Sequence, residues 1–396
     1  MEPSYEFPVY HRLDLEITAG DGSRVRTRDG QELIDFYGAH AVTALGYRHP
    51  ELTRVLASQA ETLLFQTNLV EVETRRQACR DLAAFAPPGL DRVFLVNSGA
   101  EANENALRLA FRGRERRRVV AIEGGFHGRT AAAGACSHGA RDKWYAFPHT
   151  PFDVVWVPFD DPAAWRSAVD DDTAAVILEP VQGLAGARPL GHEMLRAARE
   201  ACDRHDAWLI ADEVQCGMGR AGSAFAIDAA GVVPDLLTTA KGLAGGFPAG
   251  AVIARAEIAD ALPTGALGTT FGGGPVACAC ITTVVAALRQ PGFLDRVADL
   301  GERIRTTCRV GPVREVQGRG LLLGLRCDRP AREVLAQLRR RGILAGGATD
   351  PDIVRLMPPL TLEETEVEAL QQALADIPIV EPTSAEGSDC LAARAS

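Results

Sequence analysis

A pair of carboxylates, Asp212-Glu213, closes the apolar run Leu209-Ile210-Ala211. A strand of that composition is buried, and open α/β sheets bind their ligands beyond the carboxyl ends of such strands. An unpaired carboxylate in that place is costly, so a cationic group should face it. Further along, Thr238-Thr239-Ala240-Lys241-Gly242 puts a lysine directly after a second apolar strand. Set among Ala, Gly and Leu, that lysine is partly desolvated, which makes it a better nucleophile toward an aldehyde. Each residue alone has a plain structural use, since strand-end aspartates cap helices and most lysines are surface charges. The two together, with these flanks, suggest carbonyl chemistry.

A third element suits a phosphate. Val96-Asn97-Ser98-Gly99-Ala100-Glu101-Ala102-Asn103 follows a strand and opens a helix. Ser98, Gly99 and Ala100 there present backbone N–H groups and one hydroxyl at the positive end of the helix. The loop Gly268-Thr269-Thr270-Phe271-Gly272-Gly273-Gly274 is a second candidate, with two hydroxyls in glycine-rich backbone.

The elements that must carry these residues alternate. Short apolar runs at 92–96, 118–122, 154–157, 174–178, 208–211 and 236–239 read as strands, with helical patterns at 101–112 and 194–205. Buried strands separated by helices predict an α/β fold with a mostly parallel sheet covered on both faces. Before them, residues 24–36 read as a hairpin and 52–60 and 74–86 as helices, the last stopped by Pro87-Pro88-Gly89. Beyond about Cys280, amphipathic helices (282–288, 294–307, 331–341 and 363–375) flank short strands such as 321–325, a second, α+β lobe. The expected division is an N-terminal segment, 1–45, that joins the small lobe, a large domain, 46–280, and a small domain, 281–380. The polar Ser/Ala-rich tail 381–396 is expected to be disordered.

Bulk properties narrow the setting. The chain has 396 residues and a formal net charge of −10, which argues against a nucleic-acid partner. Its one basic run, 112–118, reads as a solvated helix end. The nine cysteines are scattered without a Cys-x-x-Cys, so no metal centre or disulfide framework is expected. Neither a signal peptide nor a membrane-length apolar run is visible, and a cytoplasmic location is expected.

With these residues in view, the chain resembles the class-III (ornithine/acetylornithine-type) aminotransferases of the fold-type-I pyridoxal-phosphate enzymes. The resemblance runs from about Pro8 to about Pro378. It rests on Ser98-Gly99-Ala100-Glu101-Ala102, Gly125-Phe126-His127-Gly128-Arg129-Thr130, Glu179-Pro180-Val181-Gln182-Gly183, Asp212-Glu213-Val214-Gln215, Lys241-Gly242, Thr269-Thr270-Phe271-Gly272-Gly273 and Val354-Arg355-Leu356. It implies a large domain with a mostly parallel seven-stranded sheet sandwiched by helices, plus a smaller α+β domain. It also implies pyridoxal 5'-phosphate as cofactor, bound covalently by Lys241 and held at its ring nitrogen by Asp212. Gln215 would bond the ring's phenolic oxygen, and Phe126 and Val214 would cover the two ring faces, with His127 beside them. Ser98, Gly99 and Ala100 would hold the phosphate, with Thr270 reaching it from the second subunit of a homodimer whose active sites are shared.

The same resemblance assigns the substrates. Arg355 would take the α-carboxylate of 2-oxoglutarate and Arg129 its distal carboxylate, while Glu179 would pair with Arg355 when the amino donor presents an ω-amine. The implied reaction moves the ω-amino group of N-acetylornithine or ornithine to 2-oxoglutarate. Alternative donors are 4-aminobutyrate, diaminobutyrate and other unusual ω-amines; an aminomutase would not need both arginines. His40, in Tyr37-Gly38-Ala39-His40-Ala41-Val42-Thr43, departs from the apolar or Tyr residue common there, and Leu184, Leu267 and Gly274 also differ from the usual pattern. A rival fingerprint, Gly217-Met218-Gly219-Arg220-Ala221-Gly222, matches dinucleotide sites in spacing but opens no long helix.

Overall fold

The computed structural model describes residues 5–379, so the tail expected from 381 onward lies outside the described residues. Its centre is a seven-stranded sheet in the order Arg92–Val96, Gly250–Ala254, Leu236–Thr239, Trp208–Asp212, Thr173–Leu178, Arg118–Ile122 and Asp153–Val157. Every neighbouring pair is parallel except the two made by Gly250–Ala254, which runs antiparallel to both flanking strands. All six residues of Thr173–Leu178 are buried, as are all of Leu236–Thr239 and Gly250–Ala254. Covering on both faces explains why these strands read as unbroken apolar runs rather than alternating ones.

Gly250–Ala254 is the strand the sequence pattern did not disclose. Its Gly-Ala-Val-Ile-Ala run sits in a Gly/Ala-rich stretch with no charged boundary before it. Its position matters for the site, because Gly250 pairs with Val96 and lets the next turn of chain come close. A Cβ on Gly250 would lie 2.5 Å from the Ser98 carbonyl oxygen.

Helices cover the two faces. On one, Gly99–Phe111 buries Ala102, Asn103, Ala106, Leu107, Leu109 and Ala110 against the central strands. Ser98 caps it, its Oγ accepting from the Glu101 N–H at 3.2 Å. On the other lie His192–His205, Glu73–Phe85 and Pro275–Leu288. The expected domain border at 280/281 falls inside Pro275–Leu288, which packs against Pro50–Leu63 and Glu73–Phe85. Its first two turns, residues 275–281, are apolar on every side and mostly buried, so they show none of the amphipathic texture that begins at Phe293.

The remaining strands form two small sheets. Val313–Arg319, Leu322–Cys327, Ile353–Leu356 and Gly346–Gly347 make an antiparallel sheet backed by Phe293–Thr307, Ala331–Arg340 and Glu364–Ala375. The N-terminal strands Ile17–Asp21, Arg24–Thr27 and Glu32–Asp35 form the other, with Ile343–Leu344 parallel to Glu32–Asp35. The glycine-rich segment 217–222 acts as a joint: the buried Arg220 donates to the carbonyls of Leu321 and Pro358. The short turn of 3₁₀ helix at Ala226–Ala230 follows it, so no dinucleotide-type helix opens there. In the basic run, Arg114, Arg117 and Arg118 pair with Asp206, Asp172 and Asp170, which tie that helix end to its neighbours. No single helix among the described residues is long and apolar enough to cross a membrane, and no group of His, Cys, Asp and Glu among them could hold a metal ion.

Candidate active site

The carboxyl ends of five co-oriented strands and the entry of the antiparallel one converge on a cavity of about 500 Å³. Asp212 ends its strand, Glu179 directly follows Thr173–Leu178, and Phe126 and His127 lie in the loop after Arg118–Ile122. Ser98, Gly99 and Ala100 follow Arg92–Val96, and Lys241 stands two residues beyond Thr239. The cavity is lined by Ser98, Gly99, Ala100, Phe126, His127, Arg129, Glu179, Asp212, Val214, Gln215 and Lys241, eleven of the residues singled out from sequence. Asn97, Asn103, Leu184, Phe247 and Pro248 are among the others.

Asp212 is the most firmly held of these. One of its oxygens, Oδ2, accepts from Asn103 Nδ2 at 2.7 Å and faces His127 Nδ1 at 2.7 Å. The other, Oδ1, accepts from the Val214 N–H at 3.0 Å. Asn103 also donates to the His127 carbonyl at 2.7 Å, and its own Oδ1 accepts from Thr238 Oγ1 at 2.6 Å. Thr238 stands opposite Asp212 in strand register, so the sheet itself aligns the network. Asn103 and Thr238 went unread in the sequence, because an asparagine inside a helix and a threonine inside a strand carry no signal until their partners are known.

Burial works against a charged His127, but the hydrogen bond and the charge of Asp212, with Glu179 behind, outweigh it and raise its pKa. His127 in turn fixes the orientation of the carboxylate. Burial likewise pulls Lys241 below the usual lysine range, although the carboxylates of Asp212 and Glu179 pull the other way. Lys241 has φ +48°, a left-handed backbone that is strained for a residue with a Cβ.

Glu179 and Arg355 each bond to backbone groups rather than to each other. Glu179 accepts from the backbone N–H groups of Phe126 at 2.9 Å and Gly183 at 3.2 Å, and burial pushes its pKa up to about 7. Arg355 is 2% exposed and donates to the carbonyls of Gly347 at 2.6 Å and Gly183 at 3.2 Å. Its third contact is Gln215 Oε1, at 3.2 Å. Arg355 thus meets Glu179 indirectly, through Gly183, and no ion pair joins the two among the described residues. The reason is local: the turn after Val181–Gln182 brings Gly183 against Gln215 so closely that a Cβ there would lie 1.7 Å from Gln215 Oε1.

Three residues lie outside the cavity lining. His40 is exposed and sits on Tyr37, ring centroids 4.5 Å apart, with the Tyr37 hydroxyl bonded to its imidazole. Partial covering of the ring, then the positive charges of Arg355 and Lys241, lowers its pKa. Thr270 is exposed in a loop braced by Asn68, which donates to the carbonyls of Thr269 and Gly272, and by Arg75, which donates to Gly273. Arg355 is the third, behind Gln215. Arg129 is in the lining, exposed, with its guanidinium 5.2 Å from the centre of the Trp144 ring.

These residues fit pyridoxal 5'-phosphate. The first-turn N–H groups of Gly99 and Ala100 have no acceptor within their helix and face the cavity, an anion site by construction. A Cβ on Gly99 would meet Val214 Cγ1 at 2.5 Å, so only glycine lets the cradle close over the ring-covering valine. A buried carboxylate braced by three donors suits a protonated ring nitrogen, and a desolvated lysine suits an aldehyde.

Comparison with known proteins agrees with this geometry. The aminotransferase class-III family matches residues 7–377. The chain is 41% identical over 376 residues to an acetylornithine aminotransferase of Methanopyrus kandleri, covering 94% of this chain and 96% of that one. To an acetylornithine aminotransferase of Bacillus subtilis it is 36% identical, covering 93% and 97%. Among solved structures, the ornithine aminotransferase of Toxoplasma gondii, in a form with partial occupancy of PLP at its active site, superposes with a TM-score of 0.87 at 31% identity. That match covers 94% of this chain and 91% of the other. The chain belongs to the class-III aminotransferases, enzymes dependent on pyridoxal 5'-phosphate.

Proposed function

We propose that this enzyme moves the ω-amino group of N-acetylornithine or ornithine to 2-oxoglutarate, leaving a semialdehyde and glutamate. The observation that carries the reading is the pair of arginines at different depths: Arg355 buried behind Gln215, and Arg129 exposed in the cavity wall. Two fixed guanidinium groups at separate depths suit the two carboxylates of one dicarboxylate. The acetylornithine aminotransferases to which the chain is similar support the choice of donor.

When bound, the cofactor supplies an aldehyde that forms a covalent link to an amine and a ring that accepts electron density. The chain does the rest. Lys241 provides the amine that anchors the aldehyde and, once displaced, an unprotonated nitrogen able to take a proton from the substrate carbon and return it. Burial, which lowers its pKa, favours that form. Asp212 would hold a proton on the ring nitrogen, and the contacts with His127 and Asn103 fix its orientation. Ser98, Gly99 and Ala100 hold the phosphate, while Phe126 and Val214 confine the ring. Gln215, which accepts from Arg355, would link the ring's oxygen to the arginine that would bind the substrate carboxylate.

We also read the enzyme as a homodimer with Thr270 of one copy serving the cavity of the other. Around the Thr270 loop lie the exposed Leu64, Phe65, Leu69, Val70 and Phe271, with Phe65 and Phe271 in ring contact at 5.3 Å. An apolar patch of this kind marks a protein interface.

The donor and the arginines are tested together. Glutamate formation from 2-oxoglutarate should be fastest with N-acetylornithine or ornithine and slower with 4-aminobutyrate. Arg129→Ala should raise the KM for 2-oxoglutarate by about tenfold or more, the loss of one charge-assisted pair, and leave that of the amine nearly unchanged. Preference for 4-aminobutyrate, or equal damage to both substrates, would overturn this assignment.

A further inference from the structure

A second cavity, of about 620 Å³, opens where the large lobe meets the C-terminal sheet. Phe159 and Asp160 come from the large lobe, Arg188 from the hairpin that follows the active-site turn, and Glu315, Arg326 and Asp350 from the C-terminal lobe. Arg326 is paired with Asp350 at 3.0 Å. Arg188 is different: its guanidinium carbon lies over Phe159, 3.7 Å from the ring centre, and no carboxylate pairs with it among the described residues. Stacking occupies a face of the guanidinium and leaves its in-plane N–H groups free for a carboxylate. Asp160 and Glu315 have no ion-pair partner among the described residues either. Beside the floor, Gln182 Oε1 is buried without a hydrogen-bond partner, next to Gly124 and Ala185, which line the cavity.

One unpaired cation and two unpaired carboxylates define a complement: one carboxylate and two positive groups. We propose that this cavity binds an α-amino acid with a cationic side chain, its carboxylate on Arg188 and its two cations on Asp160 and Glu315, as a regulatory site separate from the active site. The connection between the two sites is the segment 181–189. On one side Gly183 accepts from Arg355 and donates to Glu179, and Leu184 lines the active site. On the other, Ala185, Arg188 and Pro189 line the second cavity. The segment is tied to the C-terminal sheet by Gln317, which donates to the Gly186 carbonyl at 2.7 Å, and by the Thr349 N–H, which donates to Leu184. A ligand that clamps the segment alters how Arg355 is held, and with it the affinity for the oxo acid.

L-Arginine is the probe, because its guanidinium cannot act as an ω-amine donor. Citrulline, of nearly the same shape with a neutral side chain, and agmatine, which lacks the carboxylate, are the controls. Calorimetry on the holoenzyme should show one L-arginine bound per chain, with citrulline and agmatine each weaker by about tenfold, the worth of one charge pair. Saturating L-arginine should change the KM for 2-oxoglutarate by about twofold or more without competing with the amine donor. Arg188→Gln, outside the active site, should keep the basal kcat and KM and abolish both effects. No binding at millimolar L-arginine, binding that survives Arg188→Gln, binding without any change in KM, or simple competition with the donor would each overturn the proposal. None of these outcomes bears on the assignment of the arginines in the active site, which Arg129→Ala tests separately.

Discussion

Asn103 donates to Asp212 Oδ2 at 2.7 Å from within the helix whose N-terminus forms the phosphate cradle. One helix therefore carries the groups that would hold both ends of the cofactor, the phosphate at its first turn and the ring-nitrogen carboxylate one turn later. The arrangement converts a flexible acid into a fixed one, since its Oδ2 is also met by His127.

Asn103→Leu should remove the bonds to Asp212, to the His127 carbonyl and from Thr238, leaving a buried hydroxyl and a carbonyl unsatisfied. A loss of about 2–4 kcal/mol in chemical denaturation of the cofactor-free protein is expected, with faster cofactor dissociation from the loaded enzyme. Asn103→Asp should be worse, because a second buried carboxylate would face Asp212. Unchanged stability and cofactor retention in both variants would remove the network from the account.

Gly183→Ala tests the close approach behind the active site. The added methyl would meet Gln215 Oε1, which is the far end of a side chain and can shift, but only by giving up its bond from Arg355. The expected cost is about 1–3 kcal/mol in urea unfolding, with a raised KM for 2-oxoglutarate. A variant with native stability and native KM would show that Gln215 does not link Arg355 to the site.

The site was partly legible and partly not. Residues at strand ends, such as Asp212 and Lys241, stand out because a charge after an apolar run is locally anomalous. The strands of the parallel sheet were also readable, since burial on both faces writes a continuous apolar signal. Gly250–Ala254 escapes because small residues give a weak version of it, and Pro275–Leu288 reads short because its first two turns are wholly apolar, with no polar stripe to mark where it begins. Asn103 and Thr238 act through partners distant in sequence, which no local pattern encodes. The resemblance pairs Glu179 with Arg355 when an ω-amine donor is bound; that both also bond to the Gly183 backbone depends on chain path rather than residue type.

Glu213 yields a pH prediction. Burial pushes its carboxyl up to about 7, while the Cys216 thiol and the Ile227 N–H bond to it. In the unfolded chain it titrates at the ordinary value of 4.5. The folded protein therefore binds the extra proton between these values, so stability is greatest below about 4.5 and is lost as pH rises through about 7. The loss attributable to this group is on the order of 3 kcal/mol. Glu213→Gln should flatten that part of the stability profile of the cofactor-free protein. An unchanged slope would mean that Glu213 stays ionised when buried.

The central claim is that Lys241, opposite a fixed Asp212, carries the cofactor and passes nitrogen between two substrates. The most direct measurement is the visible absorbance of the purified enzyme during stepwise addition of N-acetylornithine and then 2-oxoglutarate. A visible cofactor band should fade with the amine and return with the oxo acid, and a Lys241→Ala variant should show neither the lysine-bound band nor the cycle. A wild-type protein without a band after incubation with pyridoxal 5'-phosphate, or a Lys241→Ala variant that turns over normally, would contradict it.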